Sequence, residues 1–416
     1  AFEICVRAVD HQGNIAAGFT GTVRLTTDAA DSTLPMDVEF KPEHRGARIV
    51  EATIESKGTF AVHADAGKLR ATSNYICTDG SFGDGWIVYG DVHTHSGSSD
   101  GYYAPMWKYR ESRHLRGLAF WSLTDHDFDQ TPDKWAMYQE VAARCDQPGR
   151  FAAILGYEWT PSAGHGPAFA RRGQASGHYC VLFPELTGDC VRSDEDRGNT
   201  AEKLLEVTSQ MPGVKVIPHY HGGRAPVGEN SPAIEIVAWG GKVSDTQSDV
   251  SRGLGVLGTI EEEGWKLGIV GGTDHGGEGM LATRPDELCV ARVDAITREG
   301  VMAALDRRSV YASSWFRVLM SMRVNGVEQG GELTCGKDEP RTVEVKVASR
   351  PSAIWVELRR GSKTIGKISN QTTRDFVRTF TFTDDEPLEK DTFYTVRLRY
   401  PADNFVWSSP VWVSVG

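Results

Sequence analysis

The sequence has no apolar run approaching the ~20 residues that a membrane helix requires, so a chain spanning a bilayer by helices is not expected. It also has no run of lysine or arginine, and 45 basic against 56 acidic residues leave a net charge of −11 at pH 7. A general nucleic-acid binder carries a basic patch or stripe, so neither nucleic acid nor membrane is expected as a partner. The seven cysteines, at positions 5, 77, 145, 180, 190, 289 and 335, form no C-x-x-C pair. Odd in number and scattered, they read as buried free thiols rather than a disulfide framework or a zinc knuckle. A reducing, cytoplasmic compartment suits them better than a secreted one. The opening AFEICVRAVD is neither basic nor followed by a long apolar stretch, and no signal peptide is visible in it. Low-complexity tracts and fixed-period repeats are missing as well.

What is present is the profile of a soluble globular protein, with 40% hydrophobic and 24% charged residues. At 416 residues, two or three domains are expected. Over residues 1–78, short alternating runs such as TGTVRLTTD and ARIVEATI are divided by Gly, Asp and Asn, the signal of a small β-sandwich. TDGSFGDG (78–85) reads as a linker. Across 86–315, strand-length apolar runs alternate with helical segments: PMWKYRESRHLR, PDKWAMYQEVAARC, TAEKLLEVTSQM and TREGVMAALDRR. That alternation predicts parallel β in an α/β layer or barrel. From 316 the period-2 pattern returns, with Val343, Val345 and Val347 on one face and Thr342, Glu344 and Lys346 on the other. A second β-sandwich is expected over 316–416.

The chemistry lies at the strand boundaries of the middle region. WIVYGD runs into His93 and His95, and GLAFWSL into Asp125, His126 and Asp127. FAAILGY ends at Glu158, VKVIP at His219 and His221, and LGIVGG at Asp274 and His275, whereas His178 opens the run YCVLF. In a parallel barrel the carboxyl ends of the strands meet on one face, so residues distant in sequence converge. HTH places two imidazoles on one side of an extended backbone. Asp100 has the alternative of a turn residue. Glu158, between Tyr157 and Trp159, is costly to bury unless paired or bound to metal. His11, His44 and His63 read as unrelated surface residues, whereas His114 falls within a helix and His165 within a Gly-rich loop, and neither is assigned to the site. Mixed nitrogen and oxygen donors without thiolate suit Zn, Mn or Fe, and eight or nine candidate ligands exceed the three or four of one catalytic zinc. Two or three divalent ions are therefore implied. Such centres hold a hydroxide between the metals and neutralise charge on attacked and leaving oxygens.

At these residues the chain resembles the PHP (polymerase and histidinol phosphatase) superfamily, through GDVHTHSGSSDG, LTDHD, GYEWT, GHYCVLF, VIPHYH and GGTDH in the family's order across roughly 90–280. The resemblance implies a distorted (β/α)7 barrel over 86–315, flanked by an immunoglobulin-like β-sandwich and linker (1–85) and a C-terminal β-sandwich (316–416). Carried over by position, His93, His95, Glu158 and Asp274 hold one metal. Glu158 bridges to a second held by His178 and His219, and Asp100, His126 and His275 hold a third. The family's closing motif is D-x-H, whereas Asp274 and His275 are adjacent here, so His221 is an alternative ligand. The flanking regions resemble a branch with β-sandwich additions, not the polymerase-associated or histidinol phosphatase members.

The resemblance favours a phosphoesterase acting on a small molecule. Arg224 and Arg284 are candidates for gripping phosphate, and His221 or Asp127 for the general acid. A carbohydrate-active hydrolase or lyase is the alternative, with Trp159 and other strand-end tryptophans (Trp86, Trp107, Trp121, Trp239) stacking on a saccharide. Amide or lactone hydrolysis uses the same ligands, and a non-catalytic binding protein with structural metals is the remaining reading.

Overall fold

The structure is a computed structural model describing residues 1–11, 13–161, 177–219, 226–237, 257–258, 260–274, 287–314, 317–370 and 376–416. It is strand-rich and multidomain. Near the amino end, Phe2–Arg7, Ala47–Ile54 and Ser32–Thr33 form one antiparallel sheet. Asp37–Phe40, Gly21–Thr27, Val62–Ala66 and Leu69–Thr72 form another. Val23 and Leu25 alternate with exposed Thr22 and Arg24, and they share a buried cluster with Val6, Val38, Phe40 and Val62. The 78–85 segment is pinned rather than free, because Phe82 is fully buried with the Lys346 ammonium 4.9 Å from its ring centre.

The central sheet is numbered here from its first strand: β1 Trp86–Asp91, β2 Phe120–Leu123, β3 Ala152–Trp159, β4 His178–Phe183, β5 Lys215–His219, β6 Ala233–Val237, β7 Gly268–Gly271, β8 Glu287–Val293 and β9 Val310–Ser314. In space the order is β7-β6-β5-β4-β3-β2-β1-β8-β9. Every residue of β2 and β3 is buried, as expected for a sheet covered on both faces. The four segments with helical pattern supply α1 Pro105–Arg110, α2 Pro132–Cys145, α3 Ala201–Ser209 and α4 Arg298–Asp306. Thr131, Thr200 and Thr297 cap the last three, each hydroxyl accepting the backbone N–H three residues on. The first segment does not stay α-helical to residue 116: after Arg110 it widens into a π turn over Glu111–Leu115. No helix among the described residues is long and apolar enough to cross a membrane.

Two expectations change. The sheet is not wholly parallel, because β4 runs antiparallel to both β3 and β5 while β1-β2-β3 and β5-β6-β7 are parallel. A reversed strand presents its amino end where its neighbours present their carboxyl ends. For that reason His178, which opens its strand, lies in register with His219, which closes its own. The C-terminal strands are also not a separate sheet from the middle region. β9 pairs with Asn404–Ser408, which leads on to Thr392–Tyr400, Trp355–Arg360 and Lys363–Ser369. Arg341–Ala348 keeps its alternation in a different four-stranded sheet, with Val343, Val345 and Val347 buried and Thr342 and Glu344 exposed.

The central sheet also curls. The loop after β7 reaches the loop after β1, where the Asp274 N–H donates to the His93 carbonyl at 2.9 Å. Glycine permits this approach, because a Cβ on Gly271 would lie 2.8 Å from the Leu288 carbonyl oxygen of β8. Gly271→Ala is expected to destabilise the protein by about 1–3 kcal/mol through overpacking, read from the urea unfolding midpoint. An unchanged midpoint would mean that β7 and β8 are not in this contact.

Candidate metal centre

The loops after β1 and β2 are fixed by buried carboxylates. Asp91, the last residue of β1, accepts the N–H groups of His93 (3.1 Å) and Thr273 (3.2 Å) and the Thr273 hydroxyl (2.8 Å). Burial pushes its carboxyl up to about 6. Thr94 donates its hydroxyl to the Ser122 carbonyl at 2.7 Å, turning that side chain toward β2 while His93 and His95 share the opposite side. Asp125 accepts the Ser96 N–H at 2.7 Å and the hydroxyls of Ser96, Ser99 and Tyr138, so the chain beyond His95 is clamped. Asp274 sits at φ +58°, a left-handed conformation that an aspartate tolerates better than most residues and that turns its carboxylate onto the histidines.

Glu158 is the hub. It is 1% exposed. One oxygen, Oε1, lies 2.7 Å from both His178 Nδ1 and His219 Nε2. The other, Oε2, lies 2.8 Å from His126 Nδ1, 3.2 Å from His95 Nε2 and 3.8 Å from His93 Nε2. Asp274 Oδ1 closes the deeper group at 3.0 Å from His93 Nε2 and 3.4 Å from His95 Nε2. Asp100 reaches His95 Nδ1 at 3.2 Å and His126 Nε2 at 3.4 Å. Four donor groups result among the described residues, each with its ligand atoms within 4.8 Å of one another: His93, His95, Glu158 and Asp274; Glu158, His178 and His219; His95, Asp100 and His126; and, behind the first, His93, Cys180 and Glu235. The first is wholly buried. The third opens outward, with the side chains of Asp100 51% and His126 14% exposed.

The electrostatics favour positive charge at the centre of this cluster. Burial pushes His95 down, but hydrogen bonds to Asp274 and Glu158 outweigh it and hold the imidazole up at about 9. His126 is held up at about 11, with Glu158 and Asp100 overcoming burial. Glu158, which burial alone would raise, is held well below the usual carboxylate range by His126 and His178. His219 goes the other way, down to about 3, because it is buried and faces His93 with ring centres 4.3 Å apart. Imidazoles this close cannot all carry protons cheaply, whereas neutral imidazoles around a divalent cation repel nothing. His93 Nε2 and Glu158 Oε2 are buried without a well-angled hydrogen bond among the described residues, although both aim into the cluster. The donor set thus fits divalent metal ions.

The remaining expected site residues divide three ways. His221, Arg224, Arg284 and His275 lie outside the described residues. Asp127 is buried with both oxygens committed to backbone, accepting the N–H groups of Thr160 (2.7 Å) and Ser193. Burial raises its carboxyl to about 6, but its contacts hold two loops rather than a leaving group. Trp159 is fully buried, edge-on to Tyr179, and donates its indole N–H to the Gly198 carbonyl at 2.7 Å. It is part of the core, not a platform for a sugar. Trp159→Phe is expected to cost on the order of 1–3 kcal/mol in packing and the lost hydrogen bond and to leave KM unchanged. A selective rise in KM without loss of stability would restore a substrate role.

One functional candidate escaped the sequence reading. Glu235, in AIEIV on β6, is buried with Oε2 3.0 Å from His93 Nδ1. Burial pushes its carboxyl up to about 7 against the pull of His93. The available signal was the one that marked Glu158, a lone carboxylate inside an apolar strand.

No family model and no curated protein matches the chain. Among solved structures, it is similar to a two-domain protein from Bacteroides vulgatus ATCC 8482 containing a predicted PHP-like metal-dependent phosphoesterase. The two are 12% identical, the match covers 80% of this chain and 96% of that one, and the TM-score is 0.39. A cycloisomaltooligosaccharide glucanotransferase from Paenibacillus sp. aligns at 12% identity over 98% of this chain and 69% of that one, with a TM-score of 0.27. The Bacteroides uniformis β-glucuronidase 3 aligns at 10% identity over all of this chain and 63% of that one, at 0.20. Superpositions this loose carry no functional argument, and the function is read from the side-chain cluster.

Proposed function

We propose that the chain is a metal-dependent hydrolase, most specifically a phosphoesterase acting on a small molecule. The carrying observation is the Glu158 carboxylate, which offers one oxygen to His178 and His219 and the other to His93, His95 and His126. A carboxylate so placed would serve as a ligand to both groups if each held an ion. In this reading His93, His95, Glu158 and Asp274 hold the first, and Glu158, His178 and His219 the second. Asp100 and His126 would hold a third, with His275. Bound Zn, Mn or Fe would supply Lewis acidity and lower the pKa of a coordinated water. The chain's own part is to fix these donors, through Asp91, Asp125 and Asp127 clamping the loops, and to keep water out of the deep side. Arg224 and Arg284 are proposed to grip the phosphate and His221 to protonate the leaving group. The curled sheet is taken as a distorted (β/α)7 barrel over 86–315, with 1–85 and 316–416 as flanking β-sandwich domains.

The test is turnover of aryl phosphate mono- and diesters by protein reconstituted with Zn, Mn or Fe, beside His93→Ala. Turnover lost in the variant supports the proposal, and silence across all metals would sink it. A saccharide substrate is a second reading with one observation behind it. Tyr102, Tyr103 and Trp107 are exposed beside the Asp100 loop, Tyr103 is held at φ +67°, and the Tyr103 and Trp107 ring centres are 6.3 Å apart. Release of reducing ends from a polysaccharide panel, weakened by Tyr103→Ala, would favour it.

A further inference from the structure

Glu235 occupies a position that the proposed ligand sets leave unexplained. It lies on β6 between the buried Ile234 and Ile236, in register with His219 of the neighbouring strand. Its carboxylate is 1% exposed, Oε2 is 3.0 Å from His93 Nδ1, and Oε1 has no hydrogen-bond partner among the described residues. A buried carboxylate with half its capacity unused is costly for packing alone. The Gly272 backbone packs closely against both groups, since a Cβ there would come within 2.6 Å of His93 Cβ and 3.1 Å of Glu235 Oε2. A neutral imidazole carries one N–H. An acceptor facing Nδ1 keeps that N–H on Nδ1, donating to Glu235, and leaves the Nε2 lone pair pointing the other way, toward Asp274 Oδ1 at 3.0 Å.

We propose that Glu235 is a positioning residue that fixes the tautomer and tilt of His93, and thereby sets the affinity of the deepest metal position. This rests on the metal-centre reading above. Glu235 does not touch the ion. It acts through His93, and its negative charge makes the imidazole a stronger donor. Cys180, also buried and within 4.8 Å of both groups, completes the back wall and supplies no second acceptor of comparable strength.

The experiment is Zn2+ titration against a chromophoric chelator for wild type, Glu235→Gln and Glu235→Leu, with 15N spectra of the histidine side chains. Glutamine keeps an acceptor of the same shape without the charge, and leucine removes the acceptor. The tightest binding step is expected to weaken roughly 10-fold in the first variant and 100-fold in the second, the range seen for partners behind a ligand. His93 should hold its proton on Nδ1 in wild type and Glu235→Gln and lose that signature in Glu235→Leu, with the remaining histidine signals in place. A merely structural glutamate would not move one tautomer alone. Wild type that binds zinc beside variants that bind it equally well would overturn the positioning role and leave the metal centre standing. Wild type that binds no zinc would overturn both.

Discussion

Glu158→Gln is expected to lose both of the ions that the carboxylate is proposed to bridge and to drop turnover by more than the roughly 10- to 100-fold that loss of a partner behind a ligand costs. The amide keeps the shape of the side chain but has no charge and only one acceptor oxygen. Its NH2 group would point donors at one of the two imidazole groups that Glu158 now faces, His178 with His219 or His126 with His95. The variant is also expected to be less stable, because removing one partner from a buried charge cluster leaves the facing groups uncompensated, so its unfolding midpoint is measured beside its metal content. His178→Ala makes the sharper contrast. Its Nδ1 faces Oε1 of the carboxylate, so the substitution should remove one ion and spare the group formed by His93, His95, Glu158 and Asp274. Elemental analysis of the two variants beside wild type checks the claim. Equal losses would mean that Glu158 is an ordinary ligand rather than a bridge.

Chelation is expected to lower the thermal midpoint sharply. An ion that binds the folded state alone stabilises it by about 4 kcal/mol when present at 1,000 times its Kd. For a cooperative unit of 150–250 residues that corresponds to roughly 8–16 °C. The physical source is the packing of Glu158, Asp274, Glu235 and Asp91 around imidazoles with almost no solvent. Without a cation that negative charge is balanced only by protons on the rings, and His219 resists taking one. Differential scanning calorimetry with and without chelator measures the effect. A midpoint that does not move would mean that the cluster binds no ion with useful affinity.

Much of the site could be read from strand boundaries, for a physical reason. A strand buried on both faces must be apolar along its length, so a His, Asp or Glu at its end stands out. WIVYGD-VHTH and GLAFWSL-TDHD are of this kind. Glu158 was legible because a carboxylate among apolar neighbours demands a partner. Glu235 carries the same mark but has no histidine beside it in sequence, and its partner lies 142 residues away. The reversal of β4 was not legible, since local pattern fixes that a strand forms but not which way it runs. The pairing of β9 with Asn404–Ser408 was hidden for the same reason, because alternation says which face is buried and nothing about which edge is shared. Trp159 and Asp127 show the converse error. Both sit beside cluster residues, but strand alternation turns Trp159 into the core, and Asp127, in the turn Asp127–Asp129, is committed to backbone N–H groups. Residues 275–286 and 220–225, where His275, His221, Arg224 and Arg284 fall, lie outside the described residues, so their roles rest on the sequence and the resemblance alone.

The measurement that bears most directly on the central claim is metal stoichiometry. Protein purified without chelator or metal-affinity resin, then reconstituted with Zn, Mn or Fe and desalted, is analysed by elemental mass spectrometry. Two or three equivalents per chain are expected, falling to one or none in Glu158→Gln. One equivalent or none in wild type, persisting after reconstitution, would contradict a multinuclear centre and reopen the reading of these sheets as a binding protein.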